Sequence, residues 1–172
     1  GTTEVNNVNP EAVAKTEAKK AIDEALKAKN DEIDARTDLT VEEKVKAKEE
    51  AKTKADAAKQ AIDKATTNAE VEQAKTNRIT EVNNVNPEAV AKTEAKKVID
   101  EALKDKNDEI DARTDLTVEE KAIAKEDAKA KADAAKEAID KATTNAEVDQ
   151  AETNGTTEVN NVNPEAVAKT EA

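Results

Sequence analysis

Forty of the 172 residues are Asp or Glu, and some stand close enough together to suggest chemistry. Asp31, Glu32 and Asp34 form one cluster, and Glu49 and Glu50 another. Paired acids can carry out general acid–base or glycosidic chemistry when their surroundings push the two pKa values apart. Nothing here supplies such surroundings. The chain has no Phe, Tyr or Trp to wall a pocket, and both clusters sit in charged stretches. Solvated helix faces are the expectation. Asn30-Asp31-Glu32-Ile33-Asp34 has the opening of a calcium loop, but lacks the turn glycine and the closing bidentate Glu at the required spacing. His, Cys and Ser are absent, so Thr and Lys remain as nucleophiles with no histidine to activate them. Gly occurs only at positions 1 and 155, which leaves no phosphate-cradling loop. The residue types therefore predict no catalytic, cofactor-binding or metal-ligating site, and no enzyme.

The organisation of the chain carries more information. Asn9-Pro10-Glu11-Ala12-Val13 returns at Asn86 to Val90 and again at Asn163 to Val167, a period of 87 − 10 = 77 residues. Residues 155–172 repeat residues 1–18 unchanged. Residues 1–77 and 78–154 differ at eleven positions, among them Gly1/Arg78, Thr2/Ile79, Ala28/Asp105 and Lys46/Ile123. Self-similarity at such a period marks a tandem array. Near-copies supply length or valency, whereas catalysis needs one site. The start at a repeat boundary and the stop partway through a third copy suggest a section of a longer array.

Composition narrows the partners. The formal net charge is 28 − 40 = −12. No basic face is visible for nucleic acid, and anionic membrane surfaces should repel the chain. No apolar run approaches the ~20 residues of a transmembrane helix. Absent cysteines exclude disulfides and thiolate metal sites. The core must be slim, built from Ala, Val, Ile and Leu. Ala, Glu and Lys dominate, which favours helix.

Three helices per repeat follow from the apolar spacing. Helix one is predicted from Pro10, with Asn9 as N-cap, Pro10 at the first helical position, and Val8 and Val13 as a hydrophobic staple. Its stripe runs through Ala14, Ala18, Ala21, Ala25 and Ala28, widened by Ile22, Leu26 and Ile33, and ends near Arg36. Helix two opens on a capping box, Thr40 with Glu43, and carries Val41, Ala51, Ala55, Ala58, Ile62 and Ala65. Glu42–Lys46, Glu50–Lys54 and, in the second copy, Glu137–Lys141 have the favourable i,i+4 order. Helix three opens on Thr67 with Glu70, carries Val71, Ala74, Val82 and Val85, and stops before Pro87. Gly155 is expected to weaken its second copy. Val5-Asn6-Asn7-Val8-Asn9 reads as a helix terminus and cap in preference to a polar recognition patch.

Short loops make neighbouring helices antiparallel, up-down-up. An odd helix count puts the exit at the opposite pole from the entry. The expected fold class is all-α, with tandem three-helix bundles stacked end to end into an elongated rod. Residues 1–9 would end a preceding helix three, 10–86 form the first repeat, 87–163 the second, and 164–172 begin a third that could cap the second. The residues from Pro87 to about Ala95 are expected to extend helix three across a kink.

Ala25-Leu26-Lys27-Ala28-Lys29-Asn30-Asp31-Glu32-Ile33-Asp34, then Leu39-Thr40-Val41-Glu42-Glu43-Lys44, then Ala61 to Val71 (AIDKATTNAEV), resemble the helical tandem repeats of large cell-wall-anchored surface proteins of staphylococci and streptococci. That family is catalogued as a domain of unknown function. The resemblance spans the whole chain. It implies an extracellular location, a parent anchored to the cell wall through segments outside this chain, and a stalk projecting an adhesive head. It carries over no catalytic or ligand-binding residue. The alternative is a weak, multivalent module for host matrix or serum proteins, or for homophilic accumulation in biofilms. Interface hot spots favour Trp, Tyr and Arg, and this chain has no aromatics and three Arg. The expected partners are neighbouring repeats of the same chain, with no nucleic acid and no membrane, in a monomer.

Overall fold

The computed structural model describes residues 10–168, apart from the side chains of Pro10 and Glu11. Six helices are present among them, and no strand. They are α1 (Pro10–Asp34), α2 (Val41–Lys64), α3 (Asn68–Asn83), α4 (Val90–Ala112), α5 (Val118–Lys141) and α6 (Asn145–Asn160). From Val13 onward, every α1–α3 position maps onto α4–α6 at +77. The chain divides into two compact units: Gly1–Arg36 with Glu43–Glu88, and Thr37–Glu42 with Ala89–Ala172.

The first unit is a helical bundle around Ala18, Ile22, Ala55, Ala58, Ile62, Val71 and Val82. Ile22 and Ile62 are fully buried, while Leu26 packs against the cluster half-buried. Alanine at the seam lets helix axes approach, and the isoleucines are the largest fully buried side chains; each is worth roughly 1.5–3 kcal/mol when fully buried. In the second unit, α4, α5 and α6 each pack on the other two. Their core is the same set at +77, from Ala95 and Ile99 to Val148 and Val159.

The α6 helix has 16 residues against 23 in α4 and 24 in α5. The difference of about eight residues leaves roughly 12 Å of its neighbours uncovered. Residues 161–166, which are not helical, fill that stretch. Val162 joins Ile110, Leu116, Ala124 and Ala128 in a second cluster, with Ala166 packed against it. The residues after helix three thus complete the core of the unit they follow.

The stripe on α1 differs from expectation at one place. Ala28 is exposed, as is Asp105 at the same position of α4. Ala18, Ile22, Lys29 and Ile33 are the buried residues, a spacing of four, seven and four that keeps one face. Lys29 and Lys106 occupy it with their aliphatic stems, only 8% and 6% exposed, and send the ammonium outward to Glu32 at 2.5 Å and Glu109 at 2.7 Å. Long cationic side chains cover apolar surface in this way. Val41 and Val118, at the first position of their helices, are exposed; the buried stripes of α2 and α5 begin at Ala47 and Ala124.

Two expectations about backbone breaks are corrected. The second copy of helix one begins at Val90, and residues 85–89 are not helical. Asn86 is therefore not its N-cap, and no helix runs from α3 through Pro87. The proline biases Asn86 away from helix, and Arg36 bonds both Asn86 and Pro87. Val90 is 51% exposed and makes no staple. Asn9 and Val8, the matching residues of the first copy, lie outside the described residues, as does the Val5–Asn9 stretch. Gly155, expected to interrupt helix three, lies inside a continuous α6. A Cβ added there would stand 2.4 Å from Ala135 Cβ and 3.0 Å from Ile99 Cδ1. Glycine here serves close approach of α6 to α5.

Candidate functional site

The polar groups of each repeat gather at the helix ends. Leu39 and Leu116 bury the two α1–α2-type turns, and Thr40 is fully buried beside its leucine. On the far side of α1, Arg36 Nη1 donates to Asn86 Oδ1 at 3.3 Å, and Nη2 donates to the Pro87 carbonyl at 3.1 Å. Arg113 repeats both bonds, to Asn163 Oδ1 at 3.3 Å and the Pro164 carbonyl at 3.1 Å. One planar guanidinium spans a side-chain amide and a main-chain carbonyl, a fork that lysine cannot reproduce. Arg113 also holds Asp115 at 2.9 Å, and that bond pushes its already high pKa further up. Three residues earlier, Asn84 closes α3 by donating its N–H to Thr80 and Val82 carbonyls. The Asn-Asn-Val-Asn-Pro stretch is thus a helix terminus followed by an arginine-held, non-helical segment.

The second polar set lies in the unit that contains Thr37–Glu42. Val41 N–H donates to the Thr143 carbonyl at 2.8 Å. Glu42 Oε1 accepts the Asn145 N–H at 2.9 Å. Asn145 is the first residue of α6, where a carboxylate meets unpaired donors and the positive end of the dipole. Lys92 Nζ donates to the Asp140 carbonyl at 2.7 Å and the Thr37 carbonyl at 2.9 Å. It is 3% exposed, and Asp140 lies in the last turn of α5, where a cation suits the negative end.

Capping follows the sequence closely. Thr117 with Glu120 and Thr144 with Glu147 form complete capping boxes. Thr67 accepts the Glu70 N–H at 3.1 Å, while Glu70 reaches one residue further back, to the Thr66 N–H at 2.7 Å and hydroxyl at 2.8 Å. Those bonds, the Thr66 N–H foremost, hold the Glu70 carboxyl below its ordinary range. Glu120 is lowered chiefly by the Ala168 N–H, which it accepts at 3.0 Å.

The first of the two acidic clusters is taken up by lysines. Asp31 pairs with Lys27 at 3.1 Å, Glu32 with Lys29, and Asp34 with Lys48 at 2.8 Å. The Asn30–Asp34 run lies within helix α1, so its carboxylates cannot converge as a loop would make them. No group of three His, Cys, Asp or Glu is arranged to hold a metal among the described residues. Likewise, no helix is long and apolar enough to cross a membrane among them. A groove of about 590 Å³ runs beside Ile123, Ala124, Val162, Pro164 and Val167, with acidic Glu120 and Asp127 at its edge.

Of the three helical ion pairs expected, Glu137–Lys141 closes at 3.1 Å. Glu42 turns to Asn145 instead of Lys46, and Glu50–Lys54 is not among the ion pairs of the described residues. Three recurring pairs link different helices: Lys19–Asp63, Lys59–Asp23 and Lys48–Asp34, at 2.8–2.9 Å, return as Lys96–Asp140, Lys136–Asp100 and Lys125–Asp111 at 2.8 Å. These lysines, Lys92 and the two arginines were not singled out by sequence reasoning. Their identity at +77 was the available signal, but the many similar Lys and Asp positions hid it.

Helix caps and ion pairs between helices, written twice at a 77-residue interval, define an all-helical tandem-repeat protein. The particular family is the Domain of Unknown Function DUF1542, whose model matches twice, over residues 14–90 and 91–167. The chain belongs to it, and this domain is the repeat of staphylococcal surface proteins. No curated protein and no solved structure matches the chain.

Proposed function

We propose that this chain is a section of a spacer in a bacterial surface protein. Each repeat is an up-down-up three-helix bundle, and repeats in series form an elongated stalk that projects a ligand-binding head from the cell wall. The observation that carries this reading is the pair of family repeats in one chain, joined by ion pairs between helices that return at +77. An odd number of helices per repeat adds length with each copy. Absent aromatics leave little with which to build a binding hot spot. In this reading the protein acts outside the cell, anchored through other parts of its parent, as a monomer whose partners are its own neighbouring repeats.

Small-angle scattering on chains of two, four and six repeats tests it. The maximum dimension should grow in proportion to repeat number. Growth with about the cube root of mass, as for a compact particle, would sink the stalk.

A further inference from the structure

Helix three loses both of its bases between the repeats. α3 carries Lys75 and Arg78 beside Glu70, Glu72 and Glu81. α6 has Glu152 and Gly155 at those two positions, beside Glu147, Asp149 and Glu158. In α3, Arg78 Nη1 donates to Glu81 Oε2 at 3.0 Å, and Lys75 pairs with Glu72 at 3.5 Å. Asp149, Glu152 and Glu158 of α6 have no partner among the described residues.

A groove of about 370 Å³ follows the same change. Ala134, Ala135 and Ala138 of α5 line it with Ala151 and Gly155 of α6, and Glu147 and Glu158 stand at its edge. Every lining residue lies in α5 or α6, with described chain before and after them, so the groove belongs to the interior of the second repeat. Ala134 and Ala138 are exposed, whereas Ala57 and Ala61 at −77 are half-buried. The first repeat thus carries a guanidinium where the second has glycine, and bonds it to the glutamate that Glu158 repeats.

We infer that this groove takes an arginine side chain from a basic partner polypeptide. The guanidinium lies over the alanines and donates to the Glu158 carboxylate, as Arg78 donates to Glu81 in the first repeat. A guanidinium is flat and weakly hydrated, so it packs on apolar surface while its fork of donors bonds a carboxylate; the compact, strongly hydrated ammonium of lysine does not. The four acids of α6 raise the local concentration of a cationic partner. A second copy of this chain is a poor occupant: its net charge of −12 repels it, and Arg36 and Arg113 are held within their own chain. One side chain and one exposed ion pair give a dissociation constant on the order of 1 mM. The inference goes beyond the spacer reading and does not rest on it.

The test is an NMR titration of the nitrogen-15-labelled chain with acetyl-Gly-Arg-Gly-amide, to roughly ten times that scale, with acetyl-Gly-Lys-Gly-amide as control. Amide signals of Gln150 to Glu158 and Ala134 to Ala138 should shift and saturate with the arginine peptide. Those of Gln73 to Glu81, where Arg78 is already in place, should stay fixed. The lysine peptide should bind several-fold more weakly. Glu158→Gln, an exposed change, should weaken arginine binding several-fold. Ala138→Leu, also exposed, keeps every acid, fills the groove and should abolish binding. No saturable shift at the groove, equal binding of the lysine peptide, shifts spread over every acidic helix, or binding that survives Ala138→Leu would overturn it. Groove signals that move with the concentration of the chain alone would make a second copy the occupant and overturn it equally.

Discussion

Arg113 Nη2 donates to the Pro164 carbonyl at 3.1 Å, and the same guanidinium takes Asn163 Oδ1 at 3.3 Å. That fork ties the end of α4 to the segment that covers the lower core of its unit. Val162 and Ala166 flank it and pack on Ile110, Leu116, Ala124 and Ala128. Replacing Arg113 by Lys keeps the charge and loses the planar fork. The expected result is faster amide exchange at Val162 and around Ile110, with the Ala95–Ile139 core of the unit unaffected. Removing residues 163–172 should do more, lowering the melting temperature by several degrees. An unchanged exchange pattern in both variants would show that the segment adds nothing.

Gly155 makes a second prediction because two effects oppose each other there. Alanine for glycine within a helix gains about 1 kcal/mol. The new methyl would lie 2.4 Å from Ala135 Cβ, and overpacking costs about 1–3 kcal/mol. The clash involves the Cβ of a helical alanine, which cannot rotate away. Gly155→Ala is therefore expected to destabilise the second unit by about 1 kcal/mol, by the difference of those two terms. Adding Ala135→Gly should recover most of it, a coupling that only contacting residues show. Additive effects in urea unfolding would refute the contact.

Helix type, number and most of the core were legible because alanine and isoleucine spacing decides which face is buried. Ile22, Ile33 and Ile62 all lie within it. Capping was legible for a related reason: Thr and Glu three apart act locally, so Thr117–Glu120 and Thr144–Glu147 formed as written. Contacts between distant residues were not. Asn86-Pro87 has every local mark of a helix start, yet it is not helical, and Arg36, fifty residues away, bonds both residues. Gly155 has the local mark of a helix breaker, but its partner Ala135 sits on another helix. Lys29 was hidden because a lysine on an apolar face breaks the binary pattern, although its stem is as buried as its neighbours.

The pH dependence follows from the carboxylates and lysines, since no side chain ordinarily titrates between them in a chain without His or Cys. Glu70 and Glu147 are lowered from 4.5 by N–H and hydroxyl bonds from Thr66 and Thr143, and Asp63 from 3.8 by Lys19. Their contribution is present above those unfolded values and is lost as pH falls through the folded ones. Lys59 and Lys136 are raised from 10.5 by Asp23 and Asp100. Theirs is present below 10.5 and is lost as pH rises through the folded value. The melting temperature should be level from about pH 5.5 to 9.5 and decline outside that window. Each pair is exposed, so each decline is shallow and weakens in high salt. A transition near pH 6.5 would contradict the assignment.

Thr156 and Ile79 occupy the same repeat position, and the difference between them predicts a stabilising change. Ile79 packs against the core of the first unit. The Thr156 hydroxyl is buried and has no hydrogen-bond partner. A buried unsatisfied hydroxyl costs about 1–3 kcal/mol, and replacing it with an aliphatic group removes that cost and adds apolar burial. Gly155 beside it draws α6 close to α5, so part of the gain goes to repacking Ile99 and Ala135. Thr156→Ile should still stabilise the second unit by about 1 kcal/mol, at the low end of the relieved penalty. Urea denaturation reads it directly: the midpoint should rise with an unchanged slope. A lower midpoint would mean that the close approach at Gly155 leaves no room for the longer side chain, and that the second repeat depends on the small pair Gly155-Thr156 where the first uses Arg78-Ile79.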